Sequence, residues 1–270
     1  MRSKYFLGCS GWYYDHWVGR FYPEDLDKTK WLEYYAEHFN TVEVNSTFYR
    51  FPTKRMLRSW YRRTPEDFVF TLKANQLITH KKKFEGTQGL VDRFYQLAEL
   101  LEDKLACILF QIPPFLSKDI VFLKAVIEQL DLEKDSVVEF RNQSWFCEEV
   151  YNILKENRVG FCTISAPNLP QDLVATSHNA YVRFHGRNDW YRYLYSKEEL
   201  QKWAEKSQRL QVKNVFCYFN NDYQANAVTN CQQLRGNLEY WAGLLWARIA
   251  YSLIPSSKIV RLPELDAIFS

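Results

Sequence analysis

TVEVNSTFY, residues 41–49, is the stretch that decides the fold. Side chains alternate between the two faces of a β-strand, so Glu43 and Asn45 share one face while Val42 and Val44 share the other. The same alternation recurs in SVVEFRNQSW (136–145) and in AYVRFHG (180–186). Each run places ionisable residues in the same phase near its carboxyl end. This repetition predicts that separate strands deliver charged side chains to one shared polar cavity.

Eight strand-like runs occur along the 270 residues, at 5–10, 41–45, 68–73, 106–111, 136–141, 160–164, 180–185 and 213–219. Helical patterns at 31–39, 54–63, 89–101, 118–130, 147–157, 196–208 and 223–254 separate or follow them, whereas 166–179 is mostly loop. Ser117 is expected to cap the helix at 118–130, and Ser196 and Glu199 have the spacing of a capping box.

This alternation of strands and helices predicts an α/β fold, a single-domain (β/α)8 TIM barrel over residues 1–270. A doubly wound open sheet is the competing fold, but it usually has fewer strands and a glycine-rich first turn. The first turn here, GCSG (8–11), lacks the G-x-G-x-x-G pattern.

Composition limits the class of protein. Hydrophobic residues make up 47% of the chain, which is enough for a full core, and the formal charge of +3 does not by itself call for nucleic acid. The six cysteines are scattered without a C-x-x-C pair, as expected of buried, reduced thiols. No leader is visible, and the apolar run 241–254 is short and interrupted by Arg248. We therefore expect a cytoplasmic protein with no membrane contact.

The carboxyl ends of barrel strands face the active-site mouth, so the last polar residues of the strands predict a ring there. The ring comprises Ser10, Glu43, Asn45, Lys73, Gln111, Glu139, Arg141, Thr163, Arg183, His185 and Asn220. Buried charges without partners would cost several kcal/mol, so these groups must be paired, solvated in a cavity, or both. Expected pairs are Glu43 with Lys73 and Glu139 with Arg141. A salt-bridge lattice that plugs the barrel is the structural alternative to a functional pocket.

Several loops of the chain carry specific motifs. These are GCSGWYYDHWVGRFYP (8–23), TVEVNSTFYRFP (41–52), LKANQLITH (72–80), ILFQIPPF (108–115), VVEFRNQSW (137–145), VRFHGRNDWY (182–191) and YFNND (218–222). Together they resemble the DUF72, or YecE-like, family over about residues 5–235. The resemblance implies a TIM barrel and supplies no activity. One departure is Ala225, which stands where the family commonly has a glycine after its paired asparagines; residues 236–270 form a closing helix and tail beyond the resemblance.

Acid/base chemistry is the leading expectation for the ring. Glu43 and Glu139 lie three strands apart and would face each other across the mouth, as paired catalytic carboxylates do. Lys73 and Arg141 would keep both glutamates ionised, which suits a base and an orienting group. His185 is then the expected proton donor, because an unperturbed histidine titrates near working pH. The alternative for His185 is an ordinary structural role.

The ligand is expected to carry a phosphate or carboxylate, because Lys73, Arg141, Arg183 and Arg187 outnumber the two glutamates. The HKKK run (80–83) follows strand three on the same face, although such a run is most often a solvated loop. Aromatic residues after strands one, five and seven suit stacking on sugars or bases, or simply pack the loops. The predicted ligand-binding residues are Ser10, Trp12, Asn45, Lys73, His80, Gln111, Arg141, Trp145, Arg183, Arg187, Asn220 and Asn221.

Three functional hypotheses follow. The first is an enzyme, a hydrolase or lyase, acting on an anionic small molecule such as a phosphorylated sugar or nucleotide without a metal or other cofactor. The second is a divalent-metal-dependent phosphodiesterase or nuclease, for which Glu43, Glu139 and His185 are suitable ligand types but the surrounding cations are unfavourable. The third is a binding or scaffold protein without turnover. Nucleic acid is a less favoured partner than a small ligand.

Overall fold

Eight parallel strands form the centre of the computed structural model, which describes residues 3–252 and the side chains up to residue 240. The strands are β1 (Lys4–Cys9), β2 (Thr41–Val44), β3 (Val69–Lys73), β4 (Leu105–Gln111), β5 (Ser136–Glu139), β6 (Gly160–Ser165), β7 (Asn179–Phe184) and β8 (Asn214–Phe219). Neighbours in sequence pair from β2 through to β8, and β8 pairs with β1. The predicted TIM barrel is confirmed, and every strand ends close to its predicted limits.

Helices surround the strands. They are α1 (Trp31–His38), α2 (Ser46–Tyr49), α3 (Lys54–Arg62), α4 (Gln88–Ala98), α5 (Ile120–Ile127), α6 (Glu148–Glu156), α7 (Lys197–Gln208) and α8 (Asn226–Ser252). Residues 166–178 between β6 and β7 contain no helix, as the sequence indicated. The predicted closing helix is α8; residues 253–270, including the last two of that prediction and the tail, lie outside the described part.

The structure shows whether Ser117 and Ser196 cap helices as predicted. Ser196 accepts from the Glu199 amide while the Glu199 carboxylate accepts from the Ser196 amide, so the predicted capping box is confirmed. The prediction for Ser117 was wrong, because α5 begins after Asp119, whose carboxylate accepts from the Phe122 amide. A carboxylate near a helix start also interacts favourably with the helix dipole.

Side chains, rather than a strand ladder, close the barrel between β1 and β2. The Asn40 side-chain amide makes two hydrogen bonds of 2.9 Å to the backbone of β1. The Tyr35 hydroxyl accepts from the Cys9 amide at 2.7 Å and donates to the Thr41 carbonyl at 3.0 Å. At Gly8 a Cβ atom would overlap the Thr41 carbonyl, so this seam requires glycine. The two strands therefore approach closely although no ladder joins them.

The barrel interior is mainly apolar below its polar mouth. It is filled by Phe6, Cys107, Leu109, Val137, Cys162, Ile164, Tyr181, Phe216 and Tyr218. Because Cys162 and Ile164 face inward on β6, Thr163 lies on the opposite face, where its hydroxyl accepts from the Val174 amide at 3.1 Å. The placement of Thr163 in the mouth was therefore wrong, since the polar residues of β6, Thr163 and Ser165, alternate with the inward-facing Cys162 and Ile164.

All six cysteines are free; five are buried and Cys147 is half-buried, in good agreement with the sequence.

Within residues 3–252, none of the helices combines the length and the apolar character needed to cross a membrane.

Ala225, which departs from the family pattern, has an unfavourable backbone conformation. Gln224 and Ala225 have φ values of 55° and 63°, the left-handed region that favours glycine. A non-glycine residue in this region costs about 1–2 kcal/mol. The chain therefore enters α8 through a strained turn.

We expect Ala225→Gly to raise the free energy of unfolding by about 1 kcal/mol, because glycine adopts this conformation without the Cβ clash. Urea denaturation measures the change. The matched control is Ala227→Gly inside α8, where the same substitution should lower the free energy by about 1 kcal/mol. A destabilised Ala225→Gly variant would contradict the account.

Candidate anion-binding site at the carboxyl ends of the strands

Arg183 on β7 lies at the centre of the mouth and is completely buried. One arm of its guanidinium donates to Glu43 Oε1 at 2.6 Å, and the other donates to Glu139 Oε2. The two glutamates, from β2 and β5, are thus joined by a single guanidinium instead of facing each other across open space. The expected pairing of Glu43 with Lys73 was wrong, because Arg183 occupies that carboxylate.

The remaining carboxylate oxygens are also engaged. Tyr181 donates to Glu43 Oε2 at 2.6 Å, and Arg141 Nε donates to Glu139 Oε1 at 2.5 Å, as the predicted Glu139–Arg141 pair requires. Burial alone would raise the pKa of Glu139, but Arg141 and Arg183 outweigh it and hold the pKa well below its usual range. The base of the mouth is therefore the salt-bridge lattice that was the structural alternative.

His185 is buried beside this lattice. Its Nε2 lies 3.3 Å from Arg141 Nη2, and its Nδ1 lies 3.1 Å from the Asn220 side-chain amide. A guanidinium can only donate, so Nε2 accepts and the ring is held neutral. Burial, with Arg183 and Arg141, lowers the pKa of His185 well below its ordinary value. The expected pKa near neutrality is not met, so His185 is suited to position Arg141 rather than to donate a proton.

Lys73, at the end of β3, differs from the other cations of the mouth. Its side chain is 8% exposed, donates to Gln111 Oε1 at 2.6 Å and lies 4.3 Å from the ring centroid of Phe48. Among the described residues it forms no ion pair. Burial, and then Arg183, lower the pKa of Lys73 to about 7. At neutral pH, therefore, Lys73 is only partly protonated, unlike an ordinary lysine.

The rim beside Lys73 carries unsatisfied polar atoms. The Asn45 side-chain nitrogen donates to the Ser10 carbonyl at 3.2 Å, whereas Asn45 Oδ1 and Ser10 Oγ are buried and have no hydrogen-bond partner in the protein. His80 is half-buried at 4.9 Å from Phe48, measured between ring centroids. Burial, and then Lys73, lower the pKa of His80 to about 4. These groups can meet the polar atoms of a ligand.

Arg141 forms the opposite side of the rim. Its guanidinium lies 5.0 Å from the Trp190 ring and donates to the Tyr191 hydroxyl at 3.4 Å, a long hydrogen bond. Only 13% of its side chain is exposed. Glu139 holds Nε, and Nη1 and Nη2 contact Tyr191 and His185, so one N–H of each outer nitrogen remains for a ligand.

Comparison with known proteins agrees with this architecture. The family model described as "Protein of unknown function DUF72" matches residues 6–248. The chain belongs to the DUF72 family.

Relatives and solved structures extend this likeness within the DUF72 family. UPF0759 protein YunF of Bacillus subtilis is 31% identical over 265 residues, covering 85% of this chain and 93% of the relative. UPF0759 protein YecE of Escherichia coli K12 is 25% identical over 227 residues, covering 74% and 80%. The crystal structure of a DUF72 protein from Thermotoga maritima has a TM-score of 0.81 and 33% identity, covering 87% of this chain and 99% of that one. These likenesses establish family and fold.

Four of the predicted ligand residues make contacts of other kinds in this DUF72 barrel. Trp145 is fully buried, stacks on Phe140 with ring centroids 4.5 Å apart and donates to a backbone carbonyl. Trp145 is therefore a loop-packing aromatic, the alternative that the sequence left open. Trp12 is half-buried and packs edge-on against Trp60 of α3 at 5.5 Å, and its ligand role stays a prediction.

The other two are Arg187 and Asn221. Arg187 is largely exposed and pairs at 3.2 Å with Glu199 of the α7 capping box. Asn221 is buried and donates to Asn230 Oδ1 on α8 at 2.9 Å. Arg187 therefore supports the start of α7, and Asn221 ties the last strand to the last helix.

Sequence reasoning missed two residues of the site. Tyr181 shares the inward phase of Arg183, and this alternation was a signal that it could reach the mouth. Phe48, whose ring supports Lys73, belongs to the four-residue helix α2 and carried no such signal.

The mouth does not offer the donor set of a metal site. Within the described residues, no three His, Cys, Asp or Glu side chains converge in a way that could hold a metal ion. All four oxygens of Glu43 and Glu139 already accept from arginine or tyrosine donors. The geometry therefore gives the metal-dependent hypothesis no support.

Removing the central guanidinium should leave the buried Glu43 without its cation and the buried Glu139 with Arg141 alone. We expect Arg183→Met to lower the free energy of unfolding by about 3–5 kcal/mol, measured by urea denaturation. Arg187→Met, which breaks only an exposed ion pair, should change it by less than about 1 kcal/mol. Equal effects of the two substitutions would show that the lattice does not stabilise the barrel.

The depressed pKa of Glu139 predicts a specific acid sensitivity. Its stabilising contribution is complete above the unfolded-state pKa of about 4.3 and is lost as the pH falls through the lower folded-state value. In Glu139→Gln this titration is absent, so the free energy of unfolding should fall less steeply with acidification below about pH 4 than in the wild type. Denaturation curves at several acidic pH values would detect the difference; parallel slopes would refute it.

Proposed function

We propose that this protein is an enzyme that acts on a small anionic molecule, such as a sugar phosphate or an organic carboxylate, by acid/base chemistry at the barrel mouth. The supporting observation is Lys73, a nearly buried ammonium whose only hydrogen bond within the described part of the chain goes to the neutral side chain of Gln111. Burial makes an unpaired charge costly, so this amine favours either an anionic partner or the loss of its proton. Both outcomes suit the proposed chemistry.

Charge balance within the mouth supports an anionic ligand. In the lattice, Glu43 and Glu139 are matched by Arg183 and Arg141. A protonated Lys73 is therefore one positive charge in excess. A ligand phosphate or carboxylate would neutralise it and form charge-assisted hydrogen bonds with it.

The proposed roles of the charged side chains differ from the roles that the sequence predicts. Lys73, with a pKa of about 7, is the group suited to accept and return a proton near neutral pH. Arg141 would bind the ligand anion, held in place by Glu139 and His185. Glu43 and Glu139 are then positioning residues, since Arg183 and their other donors occupy both carboxylates.

Polar side chains around Lys73 would orient the ligand. Asn45 and Ser10 each bring a buried oxygen without a partner in the protein, and either can bond to a ligand hydroxyl. The side-chain carbonyl oxygen of Gln111 accepts a hydrogen bond from Lys73, so the amide nitrogen of Gln111 remains available to donate to a ligand oxygen.

The test is a binding screen followed by an assay for conversion. Purified protein at pH 7 is screened by thermal shift with inorganic phosphate, sugar phosphates, nucleotides and 2-keto acids, because a ligand of the folded state raises Tm. We expect at least one of these anions to bind, and Lys73→Met to weaken that binding by about 10- to 100-fold, the range for loss of a charged hydrogen bond. The control is Lys82→Met in the exposed loop after β3, which should bind as the wild type does.

Mass spectrometry of the ligand after incubation then separates enzyme from binding protein. Conversion by the wild type and its loss in Lys73→Met is the expected result. Binding without conversion would favour the third hypothesis, a non-catalytic ligand-binding protein. Undiminished binding to Lys73→Met would refute the placement of the site.

A further inference from the structure

We propose that Lys73 acts as a covalent nucleophile, forming an imine with an aldehyde or ketone group of the anionic ligand. This inference rests on the function proposed above, because it places the same kind of ligand in the same mouth. It narrows the ligand to an anionic carbonyl compound, such as a 2-keto acid or an aldose or ketose phosphate. It also narrows the reaction to a lyase or a related carbonyl reaction.

The chain contains an internal comparison for Lys73. Lys104 is buried to a similar degree, with 4% exposed, but its ammonium donates to three oxygens on Tyr61 and Thr64. Three acceptors match the three N–H groups of an ammonium, so Lys104 is a satisfied structural cation. Lys73 has one acceptor among the described residues, Gln111; both ammonium groups also lie over an aromatic ring, at 4.3 Å for Lys73 and 4.6 Å for Lys104. The remaining donor directions of Lys73 are open to a ligand at the strand end.

The surroundings of Lys73 favour the free amine that a nucleophile requires. Burial is the main factor that disfavours protonation of Lys73, and Arg183 adds to it, whereas Glu139 and Glu43 favour protonation but are paired with Arg183 and Arg141. His80, on the loop after β3, has its own pKa lowered by burial and by Lys73, so its ring stays neutral at pH 7 and adds no charge beside the amine.

Protonation of Lys73 is therefore balanced at neutral pH. With a pKa of about 7, about half of the Lys73 side chains are amines at pH 7. An ordinary lysine, with a pKa of about 10.4, is an amine in fewer than about one molecule in a thousand at that pH. Desolvation and neighbouring cations are the known means of activating a lysine amine for attack on a carbonyl.

The step balances without any further reagent. The nitrogen lone pair attacks the carbonyl carbon, forming the C–N bond as the C–O π bond breaks, and one proton passes from the nitrogen to the oxygen. The resulting carbinolamine then loses its hydroxyl together with the second nitrogen proton as water, which leaves a C=N bond. Amine and carbonyl thus give imine and water, with no oxidation or reduction. Once protonated, the imine withdraws electrons from the adjacent carbon, so that a neighbouring C–H or C–C bond can break.

Arg141 would select the anionic end of such a ligand. Its Nη1 and Nη2 each make one contact, with Tyr191 and His185, so each keeps a second N–H that a carboxylate or phosphate of the ligand could accept. The carbonyl carbon would then lie between the anion, bound by Arg141, and the amine of Lys73.

The test is reductive trapping in the wild-type protein. Protein at pH 7 is incubated with pyruvate, glyoxylate, dihydroxyacetone phosphate or glyceraldehyde 3-phosphate in the presence of sodium cyanoborohydride, which reduces an imine to a stable secondary amine. Intact mass and peptide mapping locate the adduct. We expect modification of Lys73 at least tenfold above that of any other lysine, with Lys104 unmodified.

Two variants and a pH series sharpen the result. Lys73→Arg should lose the adduct, whereas Lys82→Arg, in the exposed loop, should retain it. The trapping rate should rise with pH and level off above about pH 7, the pKa of Lys73. The wild-type peptide map decides the question even if Lys73→Arg fails to fold.

The outcomes distinguish this inference from the function on which it rests. Absence of a Lys73 adduct with every probe, or a uniform modification of surface lysines, overturns the imine. If anions still bind and Lys73→Met weakens that binding, the proposed acid/base function survives without the imine. If anions neither bind nor are trapped, both proposals fail.

Discussion

The bridge from Arg183 to Glu43 and Glu139 is the interaction on which the mouth of this barrel depends. All three side chains are completely buried, where unpaired charges would be very costly. A guanidinium is planar and has donors on two arms, so one arginine satisfies two carboxylates from strands on opposite sides of the barrel. A lysine in its place could offer only a point charge.

The geometry of the rim follows from that bridge. Because Arg183 takes only one oxygen of Glu139, the second is left to orient Arg141, which in turn contacts the neutral ring of His185. Because Arg183 and Tyr181 also take Glu43, neither glutamate of the lattice is left for Lys73. The lattice thus supports the barrel mouth and leaves Lys73 without an ion pair among the described residues.

A salt-bridge lattice and a functional pocket are therefore compatible. The lattice occupies the base of the mouth, where it closes the apolar interior formed by residues such as Tyr181 and Tyr218. Arg141 belongs to the lattice through Nε and still has 13% of its side chain exposed, and Lys73 beside the lattice is 8% exposed. The division agrees with the general behaviour of TIM barrels, in which the strands provide a rigid base and the strand ends and loops provide chemistry.

The sequence by itself determined the eight strands, their order as β/α units and most of the side chains that reach the mouth, including Glu43, Glu139 and Arg183. It could do so because strand alternation and helix spacing are local properties, legible in a few consecutive residues. It placed Thr163 and Trp145 at the mouth incorrectly, since the phase at a strand end and the path of a loop depend on packing against distant segments. Only the tertiary structure decided which cation meets which carboxylate, because these contacts join residues about 40 to 140 positions apart across the barrel. Burial and the same long-range contacts lower the pKa values of His185 and Lys73 from their ordinary values.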